Sequence, residues 1–352
     1  MKILERIKNA CLKEGIPVKD VRDTLMLIRH LEIGFGCPNQ CASCFSSAPK
    51  KIIQMKHSSF NKIMSNIGYE LRRYNEELPF FYLGAAVDPR AIKQFYKYYN
   101  TQCNYLPSQQ MIKTFSHGWD LCNKREIREA RKFLNIFIFQ NIRHPKQRLT
   151  LSFDQFSLWA RRDWDSYLHN FTANLLFFEK LIKLGQLRIE ITYVPDYMQC
   201  NPKFRFETIM NGIKHNKYNS YEDIKNDLYI ESVREIDVEV LRSTKGLLQV
   251  LENVKIPFEK ILTIVRDNRA IFPAGRGISF FKNKTNDEKE ACFINQEQKV
   301  LYSMEHLPLK NISLIIKPDG CINVVDYRGY KLISQLNSGL PVIPNIKFFE
   351  VN

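Results

Sequence analysis

The stretch that decides the fold is Leu31-Glu32-Ile33-Gly34-Phe35-Gly36-Cys37-Pro38-Asn39-Gln40-Cys41-Ala42-Ser43-Cys44. An apolar run that predicts a β-strand over residues 31–35 is followed at once by three cysteines on one loop. Three thiolates on a short loop can hold three irons of a cubic [4Fe–4S] cluster, and the fourth iron then lacks a protein ligand. Cys41 and Cys44 also fit half of a zinc site or a redox dithiol. A structural zinc site needs a second half, and the sequence has no further Cys-x-x-Cys or His-x-x-x-His.

The pattern Cys-x-x-x-Cys-x-x-Cys after a first strand resembles the signature of the radical S-adenosylmethionine (radical SAM) enzymes. The resemblance implies that Cys37, Cys41 and Cys44 hold a [4Fe–4S] cluster whose open iron binds S-adenosylmethionine (SAM). The residue before the last cysteine is usually aromatic in that family, and here it is Ser43. Phe45 follows the last cysteine and is expected to form an apolar wall at the cofactor.

Composition points to a globular protein of the cytoplasm. The 352 residues are 44% hydrophobic and 25% charged, with no apolar run that could span a bilayer and no signal-peptide pattern at the start. Nine cysteines suit thiols and cluster ligands in a reducing compartment. The net charge of +15 favours an anionic partner, such as nucleic acid, an acidic peptide or a reductase with an acidic surface.

Alternating strand and helix patterns over the first two-thirds of the chain predict a parallel sheet of βα units. The predicted strands are 31–35, 79–83, 111–116, 136–139, 149–153 and 187–194. With the resemblance, this gives an α/β fold, a partial (β/α)6 TIM-like barrel with a small C-terminal α+β extension. The expected domains are a helical lead-in (1–28), the radical SAM core (29–200), a helical segment with the last core strand (201–280), and the extension (281–352).

The residues after the second predicted strand are Gly84-Ala85-Ala86-Val87-Asp88-Pro89. Small side chains allow a ligand to approach the backbone closely. The segment resembles the Gly-Gly-Glu motif that holds the SAM amino group, with the aspartate replacing the glutamate. The resemblance therefore implies that Gly84, Ala85, Ala86 and Asp88 bind the cofactor. The alternative is a tight turn in which Asp88 caps the next helix.

Two further strand ends match the same family. Ser116-His117-Gly118 looks like its Thr-Asn-Gly segment, which implies a cofactor contact for the serine. The histidine is then a proton carrier or a hydrogen-bonding partner of SAM or substrate, or else a structural residue. Ser152-Phe153-Asp154 looks like its Ser-x-Asp segment, with the serine near SAM and the aspartate toward the substrate as a catalytic residue. Ligands of parallel sheets bind at these carboxyl ends.

The remaining predictions concern residues later in the chain. Tyr193, at the end of the predicted strand 187–194, is expected near the ribose or adenine of SAM. Arg276 lies between two glycines and is expected to reach the SAM carboxylate, or to be a solvated loop residue.

A hairpin is predicted near the C-terminus, from the run 312–316, the turn Lys317-Pro318-Asp319-Gly320 and the run 321–325. It resembles the start of a SPASM-type extension. Cys292 and Cys321 cannot hold an auxiliary cluster by themselves, and Cys321 is a candidate hydrogen-atom donor.

The resemblance implies an enzyme that cleaves SAM reductively and abstracts hydrogen from a substrate. The expected substrate is a peptide or protein side chain, and the expected electron donor is a flavodoxin or ferredoxin. Modification of tRNA or another nucleic acid is the alternative, because basic residues concentrate at 124–132 and 143–148. A non-enzymatic iron–sulfur protein is the third possibility. No membrane partner is expected.

Overall fold

The computed structural model describes most of the chain. The described residues are 3–13, 15–42, 49–78, 82–83, 87–193, 201–229, 233–270, 312–319, 321–326 and 343–347. Of the predicted site residues, Cys44, Phe45, Gly84, Ala85, Ala86 and Arg276 lie outside these ranges, as does Cys292.

Strands and helices alternate along the described chain. The strands are β1 (Ile28–Leu31), β2 (Gly34–Phe35), β3 (Ile53–Gln54), β4 (Tyr82–Leu83), β5 (Lys113–Ser116), β6 (Arg148–Phe153), β7 (Leu187–Tyr193), β8 (Val265–Ala270), β9 (Ile312–Ile316), β10 (Cys321–Asp326) and β11 (Ile343–Lys347). The α-helices are α1 (Ile3–Lys13), α2 (Val21–Leu27), α3 (His57–Tyr74), α4 (Phe95–Tyr105), α5 (Lys124–Gln140), α6 (Leu158–Arg162), α7 (Trp164–Phe177), α8 (Glu179–Lys183), α9 (Phe206–Lys214), α10 (Tyr221–Asp227), α11 (Glu235–Asn253) and α12 (Ile261–Ile264).

One mixed sheet organises the molecule. Its strand order is β11-β10-β9-β1-β4-β5-β6-β7-β8. All neighbours from β9 to β8 are parallel, and β10 is antiparallel to both β9 and β11. The prediction of an α/β fold with a parallel sheet is therefore confirmed. Within the described ranges the outermost strands β11 and β8 do not pair, so no closed barrel forms there.

The first strand differs from its prediction. A single strand was expected over residues 31–35, but β1 ends at Leu31 and the chain then enters the separate hairpin β2–β3. Glu32 and Ile33 bridge the two, because the Glu32 amide bonds to Ile316 O and Ile33 O accepts from Met55 N. The apolar run thus leaves the main sheet before the cysteines begin, which places the cysteine loop above the sheet's carboxyl edge.

Helix α5 corrects a second prediction. A strand over residues 136–139 is wrong, because α5 continues without a break through Gln140. Phe133 and Phe137 lie one helical turn apart and are both buried against Tyr99, whereas Phe139 is 71% exposed. Spacing by a helical turn, not alternation, describes which side chains are buried. The β-branched and aromatic residues of this run favour a strand, but the packing of their side chains against neighbouring elements favours the helix.

The C-terminal hairpin was predicted correctly. Strands β9 and β10 pair in antiparallel fashion around the turn that begins at Lys317. Strand β9 also pairs in parallel with β1, with Ile316 opposite Leu31. The hairpin therefore extends the core sheet beside its first strand.

Candidate functional site at the carboxyl edge of the sheet

The cysteine loop is fixed by backbone hydrogen bonds at both ends. Gly36 has φ +106°, and a Cβ there would lie 2.1 Å from Lys51 O, so this position requires glycine. The Cys37 amide donates to Pro49 O at 2.8 Å. At the other end, Ala42 N donates to Phe156 O at 2.9 Å, which ties the loop to the segment after β6. These bonds hold Cys37 and Cys41 over the sheet edge.

Asp88 organises the centre of the site. Its buried carboxylate accepts hydrogen bonds from Asn39 Nδ2 (3.0 Å), Arg90 N (3.1 Å), Ser116 Oγ (3.1 Å), His117 N (2.8 Å) and His117 Nδ1 (3.0 Å). The structure shows the alternative role, because Asp88 is the N-cap of the 3-10 helix Pro89–Ala91, and cofactor binding by Asp88 stays a prediction. The carboxylate is engaged by the protein itself, and these contacts join the cysteine loop to the ends of β4 and β5.

His117 lies directly after β5, between two carboxylates. Its Nδ1 bonds to Asp88, and because an ionised carboxylate can only accept, Nδ1 carries a proton. Its Nε2 lies 3.4 Å from Asp154 Oδ2 and 3.6 Å from Cys41 Sγ. The histidine therefore directs one nitrogen toward both the cysteine loop and the end of β6.

Asp154 lies directly after β6 and is 2% exposed. Its amide donates to Tyr167 Oη at 2.8 Å, and its Oδ1 accepts from Phe156 N at 2.9 Å. These bonds leave Oδ2 on the side of His117. The ends of β5 and β6 thus place an imidazole and a carboxylate beside the same thiol.

The protonation equilibria follow from burial and neighbouring charges. Burial opposes ionisation of Asp88, but hydrogen bonds and charge from His117, with Arg90, hold the pKa of that carboxyl at about 2. Burial, together with the charge of Asp154, raises the pKa of the Cys41 thiol to about 12 against the opposing effect of His117. Burial, followed by the charge of Asp88, raises the pKa of Cys37. Burial lowers the pKa of His117, but Cys41, Asp154 and Asp88 together raise it well above its usual value.

Three donor atoms converge closely enough to hold a metal ion. The ligand atoms of Cys41, His117 and Asp154 all lie within 4.8 Å of one another. The thiols of Cys37 and Cys41 are in no disulfide. The structure therefore brings together two of the predicted cluster cysteines, the predicted catalytic pair and Asp88.

The other predicted residues occupy different positions. Ser116 is buried, and its Oγ donates to Asp88 and accepts from Gly118 N. Ser152 is buried within β6. Tyr193 is the last residue of β7, and its side chain lies outside what the structure describes. Cys321 begins β10, four strand positions from β5, a separation of roughly 19 Å along the sheet. It is therefore not among the side chains gathered around His117.

Three residues of the site, Asn39, Arg90 and Tyr167, were not predicted from the sequence. Asn39 bridges Asp88 through Nδ2 and Arg90 through Oδ1. Tyr167, on α7, holds the Asp154 amide. Asn39 lies within the cysteine loop and could have been noted there. Arg90 and Tyr167 are common residue types on local elements, and their sequence positions do not indicate a role.

Comparison with known proteins adds no relative. No protein-family model and no curated protein matches the chain. Among the residues that the structure describes, no helix is both long enough and apolar enough to cross a membrane.

Proposed function

We propose that the chain is a radical SAM enzyme of the cytoplasm. The observation that supports this most is the location of Cys37 and Cys41. They lie on one loop at the carboxyl edge of parallel strands that follow each other in chain order, with His117 and Asp154 from the next strand ends beside Cys41. In the proposed enzyme this sheet curves into the partial (β/α)6 barrel of the family.

The donor chemistry of the loop suits an iron–sulfur cluster. Cys37, Cys41 and Cys44 would hold a [4Fe–4S] cluster, which when reduced supplies the electron that splits bound SAM into methionine and a 5′-deoxyadenosyl radical. The protein residues hold the loop and orient the side chains around it. Asp88 fixes His117 and Asn39, and Asp154 is held by Tyr167 and Phe156. Arg276, Tyr193 and the small residues 84–86 remain proposed SAM contacts.

The proposed substrate is a peptide or protein side chain. Support comes from the C-terminal hairpin with its Lys-Pro-Asp-Gly turn, which resembles a SPASM-type extension and extends the sheet beside β1. A flavodoxin or ferredoxin is the proposed electron donor, because the chain carries a net charge of +15 and such donors have acidic surfaces.

Modification of tRNA is the second candidate. The observation that favours it is a set of exposed cations on α5 and the following loop. These are Lys124, Arg125, Arg128, Arg131, Lys132, Arg143 and Lys146. Mass spectrometry of peptide and tRNA pools after anaerobic turnover distinguishes the two substrates by which pool changes mass.

The deciding experiment is anaerobic cluster reconstitution followed by reduction in the presence of SAM. We expect about four irons per chain and formation of 5′-deoxyadenosine. Cys37→Ala, Cys41→Ala and Cys44→Ala should each abolish 5′-deoxyadenosine formation. Cys103→Ala is the matched control, because Cys103 is a buried thiol in helix α4. Full iron content in a variant that carries all three of these cysteine substitutions would contradict the proposal. So would the absence of 5′-deoxyadenosine from the wild-type chain.

A further inference from the structure

We propose that the chain without its cluster binds one zinc ion through Cys41 Sγ, His117 Nε2 and Asp154 Oδ2. The fourth coordination position is open to water. This inference goes beyond the proposed function, since it concerns a second metal state with its own ligands. Cys41 is the single residue that the two states share.

Two of the three separations between the donor atoms match a tetrahedral ion. Zinc bonds of about 2.3 Å to sulfur and about 2.05 Å to nitrogen or oxygen, at the tetrahedral angle, place S and N about 3.6 Å apart and N and O about 3.3 Å apart. The observed distances are 3.6 Å from Cys41 Sγ to His117 Nε2 and 3.4 Å from that nitrogen to Asp154 Oδ2. All three donors lie within 4.8 Å of one another.

The ligands are oriented by their own partners, as zinc ligands in proteins commonly are. A ligating histidine usually donates its other nitrogen to a carboxylate or carbonyl. Here His117 Nδ1 bonds to Asp88, which Asn39 and Ser116 hold in place. Asp154 Oδ1 accepts from Phe156 N, so its other oxygen is directed toward the imidazole. The site therefore needs little rearrangement when the ion enters.

Donor type and exposure indicate which ion binds. One sulfur, one nitrogen and one oxygen suit zinc, whereas calcium and magnesium prefer oxygen alone. Cys41 and Asp154 are buried, and the His117 side chain is 17% exposed. In this proposal the fourth ligand, a water molecule, enters from the side of the histidine, the most exposed of the three ligands. Three protein ligands with one open position are typical of catalytic zinc sites.

The two metal states exclude each other. In this proposal Cys41 binds either a cluster iron or the zinc ion, while Cys37 belongs to the cluster only. His117 and Asp154 belong to the zinc site only. Substitution of His117 or Asp154 should therefore remove zinc binding and leave the cluster, whereas substitution of Cys37 should remove the cluster and leave zinc binding.

The test uses the full chain, purified in air and freed of metal with a chelator. Titration with Co²⁺ as a spectroscopic probe should show one equivalent bound, with the visible bands of tetrahedral cobalt and one thiolate ligand. Competition with Zn²⁺ then gives the zinc affinity. Cys41→Ser, His117→Ala and Asp154→Asn should each weaken binding at least 100-fold. Asp88→Asn should weaken it about 10- to 100-fold through His117.

Cys37→Ala serves as the matched control and should bind Co²⁺ as the wild-type chain does. Circular dichroism of each variant checks that it is folded, and the wild-type cobalt spectrum is independent of any variant. Octahedral cobalt bands in the wild-type chain overturn the inference. Unchanged affinity in His117→Ala and Asp154→Asn, or lost affinity in Cys37→Ala, also overturns it. His117 is a ligand of the proposed zinc ion but not of the proposed cluster. Cluster reconstitution in His117→Ala therefore tests the proposed function independently of the zinc site.

Discussion

Asp88 shows how one buried charge can fix a site. A carboxylate removed from water is costly unless hydrogen bonds replace its solvation. Five donors from four residues surround this one, and they come from the cysteine loop, the 3-10 helix and the end of β5. Loss of the carboxylate would leave buried donors without an acceptor and release His117 from its orientation.

Asp88→Ala should lower the free energy of unfolding by about 3 kcal/mol, because several buried donors lose their acceptor together. Urea denaturation monitored by circular dichroism measures this change. Asp163→Ala is the control: Asp163 is an exposed N-cap residue of α7 that accepts from Ser166 N, and its loss should cost clearly less than the loss of Asp88. Equal losses in the two variants would contradict the central role of Asp88.

Asp227 provides a pH-dependent contribution away from the site. Burial opposes its ionisation, but hydrogen bonds from Tyr218, Lys217 and Lys203 lower its pKa to about 2. A lowered pKa means that the stabilisation is complete above about pH 4 and is lost as the pH falls toward 2. The side chain is partly exposed, so solvent screening limits the effect to about 1 kcal/mol.

Unfolding free energies of the wild-type chain and Asp227→Asn should therefore differ by about 1 kcal/mol at pH 7 and converge near pH 2. Urea titrations at several pH values measure the difference. A difference that stays constant from pH 7 to pH 2 would show that the charge of Asp227 is not its cause.

At the scale of elements, helix α5 contains a matched pair of aromatic residues. Phe133 is buried against Trp119, Tyr99 and Phe178, whereas Phe139 on the same helix is 71% exposed. Phe133→Ala should cost about 3–5 kcal/mol of unfolding free energy, because it leaves a cavity. Phe139→Ala should change it by less than about 0.5 kcal/mol. Chemical denaturation compares the two, and a large loss in Phe139→Ala would contradict the helical register.

The strand-to-loop turn at Gly36 allows a test of how the cysteine loop is positioned. Gly36→Ala places a Cβ 2.1 Å from Lys51 O, so the hairpin or the cysteine loop must move. We expect reduced iron content after reconstitution and lower thermal stability. Gly15→Ala is the control: Gly15 also has positive φ (+75°), but its added Cβ meets nothing within 4 Å. That variant should lose about 1 kcal/mol and keep its iron. Normal iron content in Gly36→Ala would contradict a fixed loop.

At the scale of the whole molecule, strand order brings the site together. Strands β1, β4, β5 and β6 are neighbours in chain order, so residues far apart in sequence meet at one edge.

The excess of positive charge is also a property of the whole molecule. Lys plus Arg number 52 against 37 for Asp plus Glu, and such a balance attracts polyanions of any sequence.

Binding to tRNA should therefore be dominated by salt-dependent contacts. Between 50 and 200 mM salt we expect the affinity to fall by about 10³-fold or more. The double variant Arg125→Ala and Arg128→Ala should reduce the slope of log K against log salt by about 2. Electrophoretic shifts across a salt series measure both. Tight binding at 200 mM salt, with tRNA stimulating 5′-deoxyadenosine formation, would instead favour the nucleic-acid substrate.

Local patterns were sufficient to predict most elements. The helical spacing of Phe60, Ile63 and Ile67 predicts α3, whose buried face contains all three. The run after 311 and its Pro-Asp-Gly turn predict the β9–β10 hairpin. The strand predicted at 136–139 is wrong because a short apolar run satisfies either pattern, and only its neighbours decide which side chains are buried.

The sequence by itself determined the alternation of strands and helices, the parallel sheet and the loop that carries the cysteines. These follow from periodicity and spacing, which are properties of neighbouring residues. Only the tertiary structure decided that Asp88 orients His117, and that this imidazole lies within 3.6 Å of both Cys41 Sγ and Asp154 Oδ2. Such distances depend on how three separate strand ends pack against one another, and no local pattern in the chain encodes them.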